Sequence, residues 1–385
     1  MTAASCFSPD SDSGSADALA LALQRIRPDI RAMHAYVVQN SDGLLKMDAM
    51  ENPFTLPANL QAALGQRLGA LALNRYPGDG SERLKTALAQ YIDMPAGQLL
   101  VLGNGSDELI SLLALVCALP SPDGQRAKVL APIPGFVMYA MSAQLQGLDF
   151  VGVPLQSDFA LDEAAMLEAI ATHRPALTFL AYPNNPTATL WDEAVVQRIA
   201  DAVGAHGGML VMDEAYQPFA SRSWIDRIRA EPERNRHVLL MRTLSKFGLA
   251  GVRLGYLMGP AALVAEVDKV RPPYNISVLN CEAALFALEH ANVFAAQAAE
   301  LRAQRDALVA ALRHMPGIEK CWDSQANMVL VRVPDATKTF TGMRERKVLV
   351  KNVSTMHPLL ARCLRLTVGS ADDNARMLAA LQASL

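Results

Sequence analysis

Cysteine is scarce in this chain and badly spaced for cross-linking. The five cysteines, at positions 6, 117, 281, 321 and 363, are odd in number and include no Cys-x-x-Cys pair. That argues against a disulfide framework and a cysteine zinc site, and fits a reducing compartment. The seven histidines form no His-Glu-x-x-His spacing, so no metal is expected. Lysine and arginine are scattered without a basic run, and the net charge is −3. A broad polyanion-binding surface is thereby excluded, and nucleic acid with it. Long apolar runs are missing too. The longest, residues 112–119, falls far short of the ~20 residues that span a membrane. Residues 1–17, rich in Ser, Asp and Ala, have neither a basic start nor an apolar centre. They read as a floppy tail rather than a signal peptide. The expected place of work is the cytoplasm, away from membranes.

What remains is an ordinary globular composition, 51% hydrophobic and 19% charged over 385 residues, enough for two or three domains. Short apolar runs at 99–102, 128–131, 149–153, 176–181, 209–212, 238–241 and 254–258 lack period-2 alternation. Strands buried on both faces read that way. Helical patterns lie between them, at 81–91, 107–118, 136–146, 162–171 and 192–206. This alternation predicts an α/β fold with a large doubly wound domain and a mixed, mostly parallel sheet. The large domain is expected over 60–275. Pro272-Pro273 marks its end, because paired prolines cannot continue a helix. Residues 277–313 read as helical throughout, followed by strands at 328–333, 348–350 and 364–368 and a last helix from about Asp372. These form a smaller α+β domain, 276–385, joined by an N-terminal arm, 18–59, and completed near residues 44–49.

Chemistry concentrates in Arg242-Thr-Leu-Ser-Lys246-Phe-Gly-Leu-Ala-Gly-Val-Arg253. Thr243, Ser245 and Arg253 around one lysine suit a phosphate monoester. A lysine there suits a Schiff base to pyridoxal phosphate (PLP) and proton transfer at a substrate α-carbon; alone, it reads as a surface lysine. Asp213 ends the run 209–212, at the sheet edge where ligands gather. A carboxylate there keeps a pyridine nitrogen protonated, with Tyr216 three residues on to meet a ring hydroxyl. The same residues also read as a helix N-cap acid and a core tyrosine. Asn185, in Tyr182-Pro-Asn-Asn-Pro-Thr187, is aimed by a proline-stiffened turn; a plain Asx-Pro turn is the other reading. Gly103-Asn-Gly105-Ser106-Asp107 follows a strand and opens a helix, a place for an anion, with Asp107 expected as N-cap. Phe136 either stacks on a ring or belongs to the core. Tyr76 lies in an exposed-looking loop. Arg365 interrupts an apolar strand, so it either meets an anion or sits on an edge strand in solvent.

Taken in order, these segments resemble the fold type I PLP-dependent aminotransferases of class II, most of all the histidinol-phosphate aminotransferases. Glu51-Asn-Pro, Asn74-Arg-Tyr-Pro, Gly105-Ser-Asp-Glu, Pro-Asn-Asn-Pro-Thr187, Asp213-Glu-Ala-Tyr216, Ser245-Lys246, Arg253 and Leu364-Arg-Leu-Thr-Val-Gly369 carry the resemblance. It covers the chain from about Tyr36 to the end. It implies that Lys246 carries the Schiff base, Asp213 pairs with the pyridine nitrogen, and Tyr216 and Asn185 contact O3′. Phe136 would stack on the ring, while Ser106, Asp107, Thr243, Ser245 and Arg253 hold the phosphate. Tyr76 would reach the neighbouring subunit's cofactor, making a homodimer with shared sites. Arg365 would grip the substrate's anionic end, with Lys351, Tyr36, Asn52 and Asn185 in the substrate pocket. The implied reaction moves an amino group between L-histidinol phosphate and 2-oxoglutarate, giving imidazole-acetol phosphate and glutamate, in histidine biosynthesis.

The chain departs from that pattern at Met50, where the family has Asn, and at Ala188, where it has Gly. One residue is missing between Lys246 and Arg253, and Lys351 stands for an arginine, keeping the charge without the planar fork. A threonine-phosphate decarboxylase of cobalamin synthesis and an aromatic amino acid aminotransferase share the fold and remain alternatives. A PLP-fold regulatory module without turnover is the rival from another class, opposed by the intact Lys246, Asp213 and Tyr216.

Overall fold

The computed structural model describes residues 13–33, 35, 39–118 and 124–385. Residues 1–12 of the expected tail and the candidate Tyr36 lie outside the described residues. The chain divides at Asn40 into two compact units. The first contains the helix Ser13–Gln24 and a single turn, Pro28–Arg31, with proline at its start, where no amide hydrogen is needed.

The second unit, Ser41–Leu385, is built on a seven-stranded sheet. Its order across the sheet is Gln98–Gly103, Gly255–Pro260, Val238–Thr243, Met209–Asp213, Leu177–Ala181, Lys128–Ile133 and Asp149–Pro154. Only Gly255–Pro260 runs against its neighbours, so the sheet is mixed and mostly parallel. The continuous apolar runs have a physical cause visible in the packing. Leu100, Leu130, Leu180, Met212 and Leu240 point into one core, while Val101, Val129, Phe179, Val211 and Leu239 point into another on the opposite face. With both faces buried, no polar alternation survives.

Helices cover the sheet, and several start where a side chain accepts amide hydrogens. Asp162 caps Glu163–His173, Asp192 caps Glu193–Ala205 and Ser277 caps Val278–Glu289. The stretch expected to be helical throughout is two helices. Val278–Glu289 ends at His290, where the backbone leaves helical geometry, and Ala291–His314 begins. Their burial explains the break. The first is buried on all sides from Cys281 to Ala287, whereas the second buries one stripe, Phe294, Ala298, Leu301, Arg305, Leu308 and Leu312. One straight rod cannot serve both surroundings.

A second sheet has four antiparallel strands in the order Lys351–Asn352, Cys363–Thr367, Met328–Arg332 and Lys320–Cys321. Leu45–Lys46 pairs in parallel with Val348–Leu349, so the N-terminal segment is tied to C-terminal residues. A separate apolar core, including Met47, Leu312, Met328, Val331, Leu364 and Met377, lies around these strands. Chain order in the large sheet reverses between Leu177–Ala181 and Lys128–Ile133. Such a reversal opens a crevice beyond the strands' carboxyl ends.

Candidate active site

A cavity of about 420 Å³ lies at that carboxyl edge. Ser106, Asp107, Phe136, Asn185 and Asp213 line it together with Tyr216, Thr243, Ser245, Lys246 and Arg253. Ten residues picked from five separate stretches of sequence therefore share one wall.

One end of the cavity is suited to a phosphate. The helix Gly105–Val116 points its start at this end, and its first amides lack intrahelical acceptors. Asn104, not Asp107, occupies the cap position, and its side chain bonds the Asn275 carbonyl instead. Asp107 lies within the first turn, where its charge complements the helix dipole. There it meets Arg253, with Nη2 3.2 Å from Asp107 Oδ2 and Nη1 3.5 Å from Ser245 Oγ. The Thr243 hydroxyl stands 3.0 Å from Ser245 Oγ and 3.1 Å from the Leu254 carbonyl oxygen. Gly105 adopts φ +74°, and a Cβ on it would fall 2.8 Å from Arg253 Nη2. Glycine at this point keeps the guanidinium and the helix start close together.

Asp213 ends its strand and is 4% exposed. Burial pushes its carboxyl up to about 6, opposed first by the Tyr139 hydroxyl, which donates to Oδ2 at 2.7 Å. The Ala215 amide donates to Oδ1 at 3.0 Å. Asp213 is thus no helix cap. It remains mainly a carboxylate at neutral pH and lines the cavity, able to pair with a cation there. Phe136 precedes the helix Met138–Gln146 and meets Tyr139 edge-on, with ring centroids 5.6 Å apart.

Lys246 opens toward the cavity from a wide π-type turn, Ser245–Leu249. Such turns often mark functional sites. Gly248 takes φ +133° there, and a Cβ on it would stand 2.9 Å from Asn52 Nδ2. Lys246 Nζ donates to the Ala49 carbonyl at 2.8 Å and lies 5.9 Å from the Tyr216 ring centre. Burial, then the nearby Arg365 charge, lower its pKa to about 8. Tyr216 is buried, and burial raises its hydroxyl pKa.

Arg365 sits on an interior strand, with Leu330 and Lys351 directly opposite on either side, so the edge-strand reading is overturned. Its Nη1 donates to Asn185 Oδ1 at 2.7 Å and its Nη2 to the Asp48 carbonyl at 2.7 Å. The first bond fixes the amide's direction, leaving Asn185 Nδ2 as the end able to donate elsewhere. Three other candidates lie apart from the cavity wall. Asn52 Nδ2 donates to Gln297 at 2.8 Å, and its Oδ1 accepts from the Phe54 amide. Lys351 is half-buried beside Arg365. Tyr76 is 77% exposed and stacks on Tyr274 at 4.5 Å.

Tyr139 and the segment Ala49, Met50 and Glu51 line the cavity but were not singled out as contacts from sequence. Tyr139 follows the candidate Phe136 by three residues, at the start of the helix Met138–Gln146, which was the available signal. The Ala49 contact is made by a backbone carbonyl, which leaves no trace in residue type.

The donor set fits pyridoxal phosphate on physical grounds. A lysine with a lowered pKa, a buried carboxylate and a phosphate cradle of two hydroxyls, a guanidinium and a helix start share one cavity.

Comparison with known proteins agrees. The family model for aminotransferase class I and II matches residues 38–381. The chain is 77% identical over 369 residues to a histidinol-phosphate aminotransferase of Paracidovorax citrulli (strain AAC00-1), covering 96% of this chain and 100% of that one. Among solved structures, a histidinol-phosphate aminotransferase from Clostridium acetobutylicum is similar with TM-score 0.79 at 20% identity, over 88% of this chain and 98% of that one. One from Sinorhizobium meliloti, in complex with pyridoxal-5′-phosphate, is similar with TM-score 0.76 at 23% identity, over 93% and 96%. These two likenesses carry the fold, and the close relative carries the family. The chain belongs to the class I and II aminotransferases, enzymes dependent on pyridoxal phosphate, and stands among their histidinol-phosphate aminotransferases.

Proposed function

We propose that the chain moves the amino group of L-histidinol phosphate to 2-oxoglutarate, giving imidazole-acetol phosphate and glutamate, in histidine biosynthesis. The observation that carries this reading is the meeting of Lys246, Asp213 and Asn185 in one cavity, with Arg365 bonded to Asn185 beside them. The close relative of the same printed activity supports the choice of substrate.

Lys246 Nζ would hold the cofactor through its aldehyde and Asp213 would hold the ring nitrogen. Asn185 Nδ2 and the Tyr216 hydroxyl would meet O3′, and Phe136 would cover the ring face. Ser106, Asp107, Thr243, Ser245 and Arg253 would hold the phosphate. When bound, the cofactor supplies a carbonyl for amine exchange and a ring that takes up electrons from a breaking α-C–H bond. Lys246 Nζ, standing at the cavity wall, would be the base that takes the α-proton. Its pKa of about 8 leaves a useful uncharged fraction near neutral pH. Asp213 would keep its charge at a buried point of the wall, and Phe136 and Tyr216 would cover the bound ring against solvent.

Arg365 would receive the anionic end of either substrate. Lys351 lies directly across the strand pair on the same face, and two neighbouring cations favour an anion between them. Asn52 would act through Gln297 and the turn at Gly248 rather than by reaching the cavity wall. Tyr36 is carried as a pocket residue on the resemblance alone. The exposed Tyr76 would extend from one subunit to the phosphate end of the other's site, making the working form a homodimer. The division into a large domain, 60–275, and a small one, 276–385 with the arm 18–59, belongs to the same reading. So does a cytoplasmic location. No helix among the described residues is long and apolar enough to cross a membrane.

A half-reaction tests the assignment. The loaded protein is mixed with histidinol phosphate and no keto acid, and the cofactor's absorbance is followed. Conversion to the amine form, reversed by 2-oxoglutarate, supports the reading. An unchanged spectrum with histidinol phosphate, and a change with threonine phosphate or an aromatic amino acid, would reassign the donor.

A further inference from the structure

We propose that Tyr139 is a positioning residue for Asp213: its buried hydroxyl, donating to Oδ2 at 2.7 Å, holds the carboxylate ionised and aimed at the cofactor's ring nitrogen. This rests on the role given to Asp213 above.

The need for such a residue follows from the surroundings. Asp213 is cut off from water, which favours its protonated form. Asp107, from the helix Gly105–Val116, and the adjacent Glu214 push in the same direction. Glu214 is itself satisfied by Arg242, with Nη2 to Oε2 at 2.8 Å. Lys246 and Arg253 line the same cavity, and Tyr216 lies three residues on. Two hydrogen bonds oppose protonation. The Ala215 amide occupies Oδ1, and Tyr139 provides the larger effect at Oδ2. Hydroxyl-to-carboxylate bonds belong to the strong, charge-assisted class.

Tyr139 is also built to stay a donor. It is 2% exposed, and burial together with Asp213 lifts its own pKa well above the ordinary tyrosine value. Its ring cannot swing away. Phe179 stacks on it at 4.5 Å with planes 10° apart, and Phe136 packs on it edge-on at 5.6 Å. Tyr139 thereby joins the ring-covering Phe136 to the nitrogen-facing Asp213 in one rigid unit. Without the hydroxyl, a proton shared between Asp213 and a ring nitrogen would settle more on the carboxyl, and the ring would accept electrons less well.

The test uses holoenzyme loaded with pyridoxal phosphate labelled with ¹⁵N in the ring. Nitrogen NMR spectra are compared for the wild type, Tyr139→Phe and Asp213→Asn between about pH 6 and about pH 9, a range spanning the relevant groups. Tyr139→Phe keeps the ring packing, and its melting temperature checks the fold. The expected result is a nitrogen signal displaced toward the unprotonated value, by about a tenfold shift in proton partition, the scale of one hydrogen bond to an ionised group. Asp213→Asn should be displaced further. A 3-fluorotyrosine at position 139, a stronger donor, should move the signal the opposite way. Signals of Tyr139→Phe superimposed on the wild type, with Asp213→Asn displaced, would overturn the proposal. An unmoved Asp213→Asn signal would instead overturn the role of Asp213 on which it rests.

Discussion

Stripped of cofactor, the protein will capture pyridoxal phosphate at a rate set by the uncharged fraction of Lys246. Only the free amine attacks an aldehyde. The amine is buried and lies near the Arg365 guanidinium, and these two effects, in that order, bring its pKa to about 8. With that value the uncharged fraction rises about thirtyfold between about pH 6.5 and about pH 9.5, and it flattens above about pH 9. An ordinary lysine, near pKa 10.4, would instead climb about tenfold per pH unit and gain roughly a thousandfold over the same range. The assay is stopped-flow absorbance of apoprotein mixed with cofactor. Each rate is divided by the rate per uncharged amine of Nα-acetyl-lysine methylamide in the same buffer, which removes the cofactor's own titration and leaves that of Lys246. Lys246→Ala supplies the background. Arg365→Met removes the second-largest of the causes that lower it, so the midpoint should move upward. A normalised rate that keeps rising tenfold per unit beyond pH 9 would refute the reasoning, because burial would then have no hold on this amine.

Three further outcomes follow from specific contacts. Gly105→Ala puts a Cβ 2.8 Å from Arg253 Nη2 at a residue with φ +74°; left-handed geometry costs about 1 kcal/mol or more. Cofactor affinity, read by equilibrium dialysis, should fall about tenfold or more, and unchanged affinity would remove Gly105 from the phosphate cradle. Glu214→Gln breaks a buried pair in which Arg242 Nε and Nη2 reach Glu214 Oε2 at 3.0 and 2.8 Å. Urea unfolding should show a loss of about 3 kcal/mol or more, with Glu214→Leu plus Arg242→Met recovering only part of it, since unpaired buried charge is the costly state and the Trp224 amide and Ser223 hydroxyl also donate to Glu214. Finally, inactive Tyr76→Ala and inactive Lys246→Ala protein, mixed and refolded together, should regain activity, because one site of each mixed dimer then holds both residues. A mixture as inactive as its parents would refute a Tyr76 acting across subunits.

Much of the site was legible because its chemistry uses side chains of fixed type at sheet edges. Asp213 and Thr243 each follow a run of apolar residues that had to be a strand, and the carboxyl end of such a strand is where a ligand meets the sheet. The helix start at Asn104 was less legible. The capping preference pointed to Asp107, but the chain turns earlier, at Gly105, because that residue alone takes the left-handed angle beside Arg253. The break at His290 has no proline or glycine to announce it. It exists because two helices bury different surfaces, a demand set by distant partners.

Apart from the two-residue strands Lys320–Cys321 and Lys351–Asn352, the amino-acid sequence by itself determined the strands, the mixed buried sheet and ten of the residues that line the cavity. These follow from local hydrophobic runs and from residue chemistry, which neighbours in the chain are enough to express. Tertiary structure alone decided that Tyr139 donates to Asp213, that the Ala49 carbonyl receives Lys246, and that Arg365 orients Asn185. Each of these joins elements separated by 74 to 197 positions. Such contacts depend on how elements pack, and backbone acceptors such as Ala49 and Asp48 look the same in every residue until the fold brings a donor to them.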